Sequence, residues 1–560
     1  MSAVADSSTP SGDYIQSLES SNVQVPKDGN SPFACWNRIW CSIRWKLSRT
    51  IFSRPLPFLT ATLDLKLGDI LITLPVAALV LAVNTNLCAK EEVKESGSLP
   101  MIAMIVTFAL AIRNNSILLT LTGLPFERVL FYHKFVGVVA ILLTGLHGLA
   151  YLLEDAGVTA ARRLRGGGDE NLMTQQQSGA ICFYLLCALL IFSLAPIRRG
   201  FYEGFLRMHW LLFIGIVVFA VIHGAGGVVI GFIPWVLDLI FRHGYLVQRN
   251  FRGGFTNILL FKKSGVISQE QVSMIHLPGN ILRIQFPRVR ADTGESFKYQ
   301  AGQYVFICIP NISLLEWHPF TISSSPSEIL VTIHIKPLGD WTKKLLTKIP
   351  LNSVVTAQIP ILVDGSYGSV SIDIENPKIY AHVALFSGGI GITPMQAIAN
   401  QLFFDFQHGR ELKKVLFIWS VRERAMVEAM MNADFVEERK LLQGHLSAYL
   451  PDDLTSAGPN GGSTTPDDVF KAEFYLTQCQ PDLENPIDRR LQHCMRYNTR
   501  PDIEDILKTL GGKAAKDDKQ RVAVLVCGPS TLIRDVINIS MKLQRSSKIK
   551  FDVHTECFEF

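Results

Sequence analysis

The sequence predicts a membrane bundle of six transmembrane helices, followed by a small β-barrel and then an α/β domain. Apolar stretches are concentrated between about residues 67 and 242, and 48% of the chain is hydrophobic, with a mean hydropathy of +0.23. Beyond about residue 255, short runs of alternating apolar residues with turn signals predict a barrel. Towards the end, apolar strands such as HVALFSG, KVLFIWSV and RVAVLVCG are typical of an α/β domain.

Six stretches are apolar enough to span a bilayer, which takes about 20 helical residues. They run over residues 67–87, 99–122, 129–153, 178–197, 205–224 and 226–243. Lys and Arg flank these stretches mainly on one side, which predicts a cytosolic segment 1–62 and both termini inside. Arg162, Arg163 and Arg165 in the third loop argue against this orientation. We expect a plasma-membrane location, and an internal membrane is the alternative.

Two of these stretches carry histidine pairs with the same spacing. His133 and His147 lie in the third stretch and His209 and His223 in the fifth, with an identical separation in both pairs. This separation is close to four helical turns, so the members of a pair face the same side of a helix, about 21 Å apart along its axis. Odd-numbered helices run in the same direction, so we expect His133 to pair with His209, and His147 with His223.

Axial histidine is a common ligand of haem iron, and ionisable groups inside a membrane are usually functional. The four histidines therefore predict two stacked bis-histidine metal sites, each suited to one haem. His133 and His209 would hold the inner haem, and His147 and His223 the outer one. A histidine that only packs between helices is the alternative for any single position, but two equally spaced pairs disfavour it. The arrangement predicts electron transfer across the bilayer.

Two motifs of the predicted barrel suit a flavin. In HPFT, Phe320 is placed to stack on the isoalloxazine, and Thr321 to hydrogen-bond its edge. In HIKPLGDWT, Lys336, Gly339 and backbone N–H groups precede a helix, where a flavin pyrophosphate could rest. Taken alone, an ordinary strand-to-turn segment and a strand that ends in a helix cap are the alternatives.

The α/β domain carries motifs that suit a dinucleotide. SGGIGITPM follows the strand HVALF and opens a helix, and its glycines let the backbone approach a pyrophosphate closely, although the usual GxGxxG pattern is absent. CGPS follows another apolar strand. Arg422 or Arg500 could meet an adenosine 2′-phosphate and favour NADPH over NADH, and a surface arginine is the alternative for each. Phe560 could stack on the flavin face where nicotinamide docks.

Composition excludes some classes of function. The net charge of +5 is small for 560 residues, so we expect no nucleic-acid partner. Ten cysteines show no zinc-like CxxC spacing, and reduced thiols are expected. The polar, Ser-rich start of the chain does not resemble a cleaved signal peptide. Gly, Ser, Thr, Pro and Asp dominate residues 450–470, which predicts a flexible insertion.

Together these features resemble the ferric reductase and NADPH oxidase superfamily, and most of all a ferric-chelate reductase. The resemblance covers about residues 65–560 and includes the histidine pairs, HPFT, HIKPLGDWT, VDGSYG, GGIGITP, CGP and the terminal FEF. It implies a ferredoxin-reductase-like module after the membrane domain. The implied domains are a two-haem membrane domain (63–250), an FAD-binding β-barrel (255–375) and an NADPH-binding α/β domain (376–560).

The resemblance also implies roles for individual residues. Four residues contact the flavin: His318, Pro319, Phe320 and Thr321. Six lie in the motif near its phosphates: His334, Lys336, Gly339, Asp340, Trp341 and Thr342. Five bind NADPH phosphates: Gly388, Gly389, Gly391, Thr393 and Pro394. Three border the nicotinamide: Cys527, Gly528 and Pro529. No side chain is assigned as a catalytic residue, because the cofactors carry the chemistry.

The expected acceptor is a ferric chelate on the far side of the membrane, in the service of iron acquisition. The loop GAGGVV after His223 is short and would leave the outer haem edge open. Cupric ion and oxygen are other acceptors, and a ferrous iron transporter could take up the product. The main alternative is a superoxide-generating NADPH oxidase, and a haem-transport or haem-sensing protein is a more distant one.

Overall fold

The computed structural model describes most of the chain from Leu67 onward. The described residues are 67–90, 93–111, 126–162, 170–240, 266–267, 272–289, 296–349, 354–355, 359–368, 370, 372–431, 469–547 and 549–556. They form two compact units, one within Asp69–Gln248 and one containing the described residues from Val266 onward. The insertion predicted over residues 450–470 lies almost wholly outside the described residues.

The first unit consists of apolar helices. In chain order they are α1 (Leu67–Ala89), α2 (Val93–Ser96), α3 (Ser98–Leu110), α4 (Phe126–Arg162), α5 (Glu170–Phe192), α6 (Ala195–Gly200), α7 (Tyr202–Ile222), a 3-10 helix (Gly226–Phe232) and α8 (Ile233–Leu239). Within the described residues, α1, α4, α5 and α7 contain stretches long and apolar enough to cross a membrane. They correspond to the first, third, fourth and fifth predicted spans.

The sixth predicted span differs from the expectation of a long helix, and only part of the second is described. The described part of the second is the helix Ser98–Leu110, and residues 112–122 lie outside the described residues. The sixth begins as the 3-10 helix and continues as α8, so its apolar helical part reaches only Leu239. Pro234 lies in the first turn of α8, where a missing N–H is tolerated, and it favours a new helix start at this point.

Small and branched side chains from α4 and α7 fill the centre of this unit. Leu143, Ala140, Ile216 and Ala220 are buried there. Large apolar side chains such as Leu142 and Leu211 point outward instead, as lipid-facing positions require. In α1, α3 and α4, threonine hydroxyls donate to carbonyls four residues earlier, which satisfies them without water.

The second unit begins with the β-barrel, which has two four-stranded antiparallel sheets. Its elements are β1 (Val266–Ile267), β2 (Ser273–Leu277), β3 (Ile281–Pro287), β4 (Tyr304–Cys308), β5 (His318–Thr321), β6 (Leu330–Ile335), α9 (Asp340–Leu346), β7 (Val354–Val355) and β8 (Ile361–Tyr367). The strand orders are β1-β8-β4-β5 and β6-β3-β2-β7. A bridge between Ile322 and Ile333 joins the two sheets. Apolar side chains from both sheets share one core.

The α/β part is a six-stranded parallel sheet with helices packed against it. Its elements are β9 (His382–Gly388), a 3-10 turn (Gly389–Gly391), α10 (Ile392–Gln407), β10 (Lys414–Val421), α11 (Arg424–Met431), β11 (Phe470–Leu476), α12 (Pro486–Arg490), β12 (Met495–Tyr497), α13 (Ile503–Lys516), β13 (Arg521–Cys527), α14 (Ser530–Ser546) and β14 (Lys550–Glu556). The strand order is β12-β11-β10-β9-β13-β14. The predicted order of a helical membrane part, a β-barrel and an α/β part is confirmed, including the three apolar strands quoted above.

Candidate functional site

Helices α4 and α7 bring the four histidines together at two levels. The imidazole centroids of His133 and His209 lie 6.5 Å apart, and those of His147 and His223 lie 6.2 Å apart. His209 lies within α7, and His223 caps its C-terminal end. The lower-numbered members meet at one level and the higher-numbered at the other, as two helices running in the same direction require. The structure therefore brings together the pairs that the spacing predicts.

The two ring separations fit one metal ion between each pair. A metal–nitrogen distance of about 2 Å, plus about 1.2 Å from nitrogen to ring centre, separates two axial imidazole centroids by about 6.4 Å. Both observed separations are close to this value. The two ring planes are inclined by 57° at His133–His209 and by 76° at His147–His223. The residues present thus fit bis-histidine haem ligation.

Hydrogen bonds orient three of the four imidazoles. The Nδ1 atoms of His133 and His223 lie 3.0 and 2.8 Å from the carbonyl oxygens of Thr107 and Gln175. Carbonyl oxygens only accept, so both Nδ1 atoms carry the proton and each Nε2 keeps its lone pair for a metal. His147 Nδ1 lies 2.8 Å from Ser96 Oγ. His209 Nδ1 is buried and has no hydrogen-bond partner among the described residues.

Strand β5 presents the HPFT motif beside the first turn of α9. The ring of Trp341 lies 4.5 Å from His318 and 6.1 Å from Phe320 between centroids, nearly parallel to Phe320. The Trp341 Nε1–H is buried without an acceptor in the described part of the chain. Thr321 is buried opposite Tyr304, and Pro319 pairs with β4. This aromatic wall with a spare donor fits a flavin.

The HIKPLGDWT motif runs from β6 into α9. Gly339 precedes the helix, and the Thr342 hydroxyl donates to its carbonyl and accepts from Leu338 N–H, which fixes the turn. Lys336 is partly exposed, and Gly339 and Asp340 are exposed. His334, in contrast, is buried on β6, opposite Arg283 in β3. The exposed part of the turn is therefore the part available to a phosphate.

The two glycine motifs of the α/β part meet at the carboxyl end of the sheet. Strands β9 and β13 are neighbours, with Ser387 opposite Cys527, and the chain order of the strands reverses between them. Ligands of open α/β sheets bind at such a switch point. Ser387 Oγ and the side-chain amide of Gln396 are buried there without partners among the described residues. These buried polar atoms could hydrogen-bond a dinucleotide bound at this edge of the sheet.

The contacts around each position explain why these motifs contain glycine there. A Cβ on Gly388 would lie 2.5 Å from Pro529 Cδ, and one on Gly391 would lie 2.5 Å from the Cys527 carbonyl oxygen. Gly528, at a φ of +155°, would place its Cβ 2.9 Å from Gly388 Cα. Because these three residues have no Cβ, the backbone of the turn after β9 can contact the backbone of the turn after β13. Gly389, at a φ of +54°, faces open space instead, and Thr393 and Pro394 follow it in the first turn of α10.

Three family models match successive parts of the chain. A model for the ferric reductase like transmembrane component matches residues 96–220, one for an FAD-binding domain matches 266–371, and one for the ferric reductase NAD binding domain matches 380–541. The chain belongs to the ferric reductase and NADPH oxidase superfamily. It is a transmembrane oxidoreductase with FAD- and NADPH-binding domains and the membrane component of a haem-binding family. Three of the four histidines lie within the first match, and His223 lies just beyond its end.

Known relatives in this superfamily include oxidases. The heavy chain of a superoxide-generating NADPH oxidase from Dictyostelium discoideum is 25% identical over 480 residues, covering 78% of this chain and 82% of the relative. NADPH oxidase 1 of Mus musculus is 26% identical over 53% of this chain and 59% of its own length. Human dual oxidase 1 is 24% identical over 78% of this chain, which spans only 28% of that relative.

Among solved structures, a ferredoxin NADP+ reductase from Neisseria gonorrhoeae covers 52% of this superfamily member and 99% of its own chain. The identity is 14% and the TM-score is 0.32, a likeness too weak to add to the assignment.

Two arginines near the end of β10 play different parts in this superfamily member. Arg422 is exposed. Arg424 forms a two-pronged ion pair with buried Asp488, at 2.9 Å for both contacts, and also donates to the carbonyl of Gln480. The ion pair raises the pKa of Arg424 above its ordinary value, chiefly through the hydrogen bond to Asp488. Arg500, the second predicted contact, is exposed in the turn before α13.

Sequence reasoning missed several supporting residues. Trp419 Nε1 donates to the Gly389 carbonyl at 2.9 Å and fixes the glycine turn. The Arg424–Asp488 pair was not anticipated, since its members are 64 residues apart. No local pattern marks either contact, although a tryptophan in a buried strand needs an acceptor for its Nε1–H. Phe560 lies outside the described residues.

The buried imidazole of His334 predicts acid sensitivity of the flavin barrel. Burial, with a smaller effect of Arg283, lowers its pKa to about 3. Between that value and about 6.5 the unfolded chain binds a proton that the folded chain does not, so stability falls as the pH falls through this window. At pH 5 the loss is about 2 kcal/mol. We expect His334→Gln to flatten the pH dependence of urea-induced flavin release between pH 7 and 5. The exposed His408→Gln should leave the slope unchanged.

Proposed function

We propose that this protein passes electrons from cytosolic NADPH through FAD and two haems to a ferric chelate on the opposite side of the membrane. The two stacked histidine pairs support the route, because they provide two metal positions along one pair of helices. When bound, NADPH and FAD exchange a hydride and the haem irons carry single electrons. The protein's own contribution is to hold these groups at fixed distances and orientations.

The short connection after His223 is the observation that favours a ferric chelate as the electron acceptor. His223 caps α7, and the 3-10 helix begins at Gly226, so the link between them is very short. The imidazole is only partly buried at this helix end. A bulky chelate needs an open approach to the outer haem edge, and a short connection provides one. His147 and His223 would together hold the outer haem, which would supply single electrons to the acceptor.

Orientation and location are part of the same proposal. The basic residues Arg198, Arg199 and Arg207 flank the end of α7 that carries His209, which favours a cytosolic position for the His133–His209 pair. Both termini would then be cytosolic, and the His147–His223 pair would face the outside. We propose the plasma membrane, where a reductase serves iron acquisition and a ferrous iron transporter takes up the product.

A superoxide-generating oxidase is the second candidate. The Dictyostelium relative is the heavy chain of a superoxide-generating NADPH oxidase and the mouse relative is an NADPH oxidase, and both favour this candidate. In that case the same outer edge would deliver single electrons to oxygen, and the His147–His223 pair would keep its role. Cupric ion is a further acceptor that the same open edge would admit.

One assay separates these candidates. Membranes that contain the protein are given NADPH and a ferric chelate, with and without superoxide dismutase and catalase. Fe(II) formation that persists with both enzymes supports direct reduction at the outer haem. Loss of Fe(II) on adding dismutase, with continued oxygen consumption, would replace the reductase by the oxidase. Protein-free membranes and the His147→Ala protein are the controls. Undiminished Fe(II) production by His147→Ala would mean that the chelate is reduced elsewhere.

Arg422 is proposed to recognise the 2′-phosphate of NADPH. Arg424 is held by Asp488, whereas Arg422 is exposed at the carboxyl end of β10. A charge-assisted hydrogen bond contributes about 1.5–3 kcal/mol, so Arg422→Ala should lower kcat/KM for NADPH about 10- to 100-fold. NADH use should change less than about twofold, since NADH lacks the phosphate. Arg500→Ala is measured in parallel, with exposed Arg534→Ala as the control. Equal losses with both coenzymes would remove Arg422 from this role.

A further inference from the structure

The two outer histidines are held in a way that the inner pair is not. The ring of His147 packs on Gly97, where a Cβ would lie 3.2 Å from its Cε1, and its Nδ1 meets the Ser96 hydroxyl at 2.8 Å. The ring of His223 packs on Gly179, where a Cβ would lie 2.7 Å from both Cε1 and Nδ1. Its Nδ1 donates to the Gln175 carbonyl at 2.8 Å. Each outer imidazole thus has one glycine beside its ring and one hydrogen-bond partner on Nδ1.

The inner pair lacks this combination in the described part of the chain. His133 donates to the Thr107 carbonyl, but no described glycine has a Cβ position within 4 Å of its ring. His209 has neither a glycine contact nor a hydrogen-bond partner for Nδ1 among the described residues. The difference is therefore both steric and polar.

We propose that Ser96, Gly97 and Gly179, together with the main chain of Gln175, are positioning residues of the outer haem. This inference rests on the proposed haem sites. The glycines let the two rings reach the inclination of 76° between their planes. The acceptors fix the proton on Nδ1 and make each imidazole a stronger donor to the iron, which stabilises the oxidised metal. The outer haem receives this effect from both ligands and the inner haem from one.

Ser96 is suited to this role by its burial as well as by its contact. Its side chain is fully buried at the end of α2, although a serine hydroxyl is costly to bury unless it is bonded. Neighbouring Ser98 is exposed, and its hydroxyl donates to the Glu95 carbonyl within the same turn. Ser98→Ala is therefore a matched control for Ser96→Ala: the same change, close by in the chain, without the imidazole.

Substitution of Gly179 tests the steric contact between the glycine and the imidazole of His223. Alanine at this helical position raises local helix propensity by about 1 kcal/mol, so the substitution does not unfold α5 by itself. Its Cβ, at 2.7 Å from the imidazole, forces the ring of His223 to move. Gly97→Ala should act in the same direction but less, because the contact there is 3.2 Å. Gly200, at which a Cβ would meet nothing within 4 Å, is the control glycine.

The experiment uses the full-length protein loaded with haem, in detergent or nanodiscs. Haem content per chain, the low-temperature EPR spectrum of the oxidised protein and a potentiometric titration are recorded for each variant. EPR is informative because the g-values of low-spin bis-imidazole haem depend on the angle between the ring planes. The signal that is missing from His147→Ala identifies the outer haem. None of these readouts requires turnover.

We expect two haems in the unsubstituted protein, Ser96→Ala and Gly97→Ala. Gly179→Ala should shift the EPR signal of the outer haem, or lose that haem while keeping the inner one. Ser96→Ala should raise the midpoint potential of the outer haem alone, and both controls should match the unsubstituted protein. Unchanged outer-haem spectra and potentials in Gly179→Ala and Ser96→Ala, with two haems bound, would overturn the proposal. Equal shifts at both haems would also overturn it. Fewer than two haems in the unsubstituted protein would instead refute the underlying haem sites.

Discussion

Replacing His147 by alanine is expected to leave a protein with one haem in place of two. The rings of His147 and His223 are neighbours, with centroids 6.2 Å apart, so alanine at either position would remove one residue that would hold the outer haem and leave the inner pair intact. The pair of His133 and His209 keeps its geometry, because those rings lie about four helical turns away. NADPH should still reduce the remaining haem, but electron delivery to an acceptor across the membrane should stop.

The four alanine variants together test the pairing. His147→Ala and His223→Ala should lose the same haem, and His133→Ala and His209→Ala should lose the other. In the inner-site variants the remaining haem should be reducible by dithionite but not by NADPH, since the relay is cut before it. Haem content and reduced-minus-oxidised spectra are the measurements, and exposed His408→Ala is the control. A His147→Ala protein with two haems, or one with the spectrum of His209→Ala, would refute the pairing.

The two histidine pairs show what periodicity can predict. A spacing close to four helical turns fixes the face and the axial separation of two side chains once the segment is helical, so the sequence defines both levels. The partners of the imidazoles are different. Gln175 lies 48 residues before His223, with Gly179 one helical turn after it, and Ser96 lies 51 residues before His147. Such contacts depend on how whole helices pack, which no local pattern encodes.

In the α/β part, too, local features are predictable from the sequence and long-range contacts are not. Apolar runs predict β9 and β10 with correct bounds and β13 to within one residue, because fully buried strands are continuous in hydrophobicity. The strand order is a long-range property, and only the structure shows that the chain reverses between β9 and β13 and brings the two glycine motifs together. The sixth apolar stretch is a case in which the apolar pattern predicts the wrong local structure. Apolarity predicts burial or lipid contact, but Gly226, Gly227 and Pro234 decide that it is not one straight helix.

The second large effect is expected at Gly389. Its neighbours Gly388 and Gly391 are glycines because a Cβ would strike the turn after β13. A Cβ on Gly389 would meet no atom of the protein within 4 Å, so alanine there leaves the packing of the turn intact. The space that it enters lies at the start of α10, where a dinucleotide pyrophosphate would approach the backbone. We therefore expect that glycine is needed at position 389 to leave space for the coenzyme, and not to allow packing of the fold.

Alanine at Gly389 also carries the strain of a left-handed backbone, at a φ of +54°, and this strain must be separated from the effect on the coenzyme. Gly409 provides the match: it follows the other end of α10, has a φ of +92° and faces open space. Each alanine should cost about 1–2 kcal/mol of stability. FAD and haem contents should stay unchanged in both variants, and dithionite should reduce the haems of both.

Only Gly389→Ala should lose NADPH-driven haem reduction. A displacement of the coenzyme by about 1 Å costs about 100-fold in rate, so a loss of kcat/KM of this size or more is expected. Gly409→Ala should stay within about twofold of the unsubstituted protein, because it lies at the opposite end of the helix from the coenzyme. Stopped-flow reduction of the haems by NADPH measures both. If Gly389→Ala and Gly409→Ala reduced their haems at the same rate, the glycine turn after β9 would not be the pyrophosphate site, since the two variants share their strain and differ only in position.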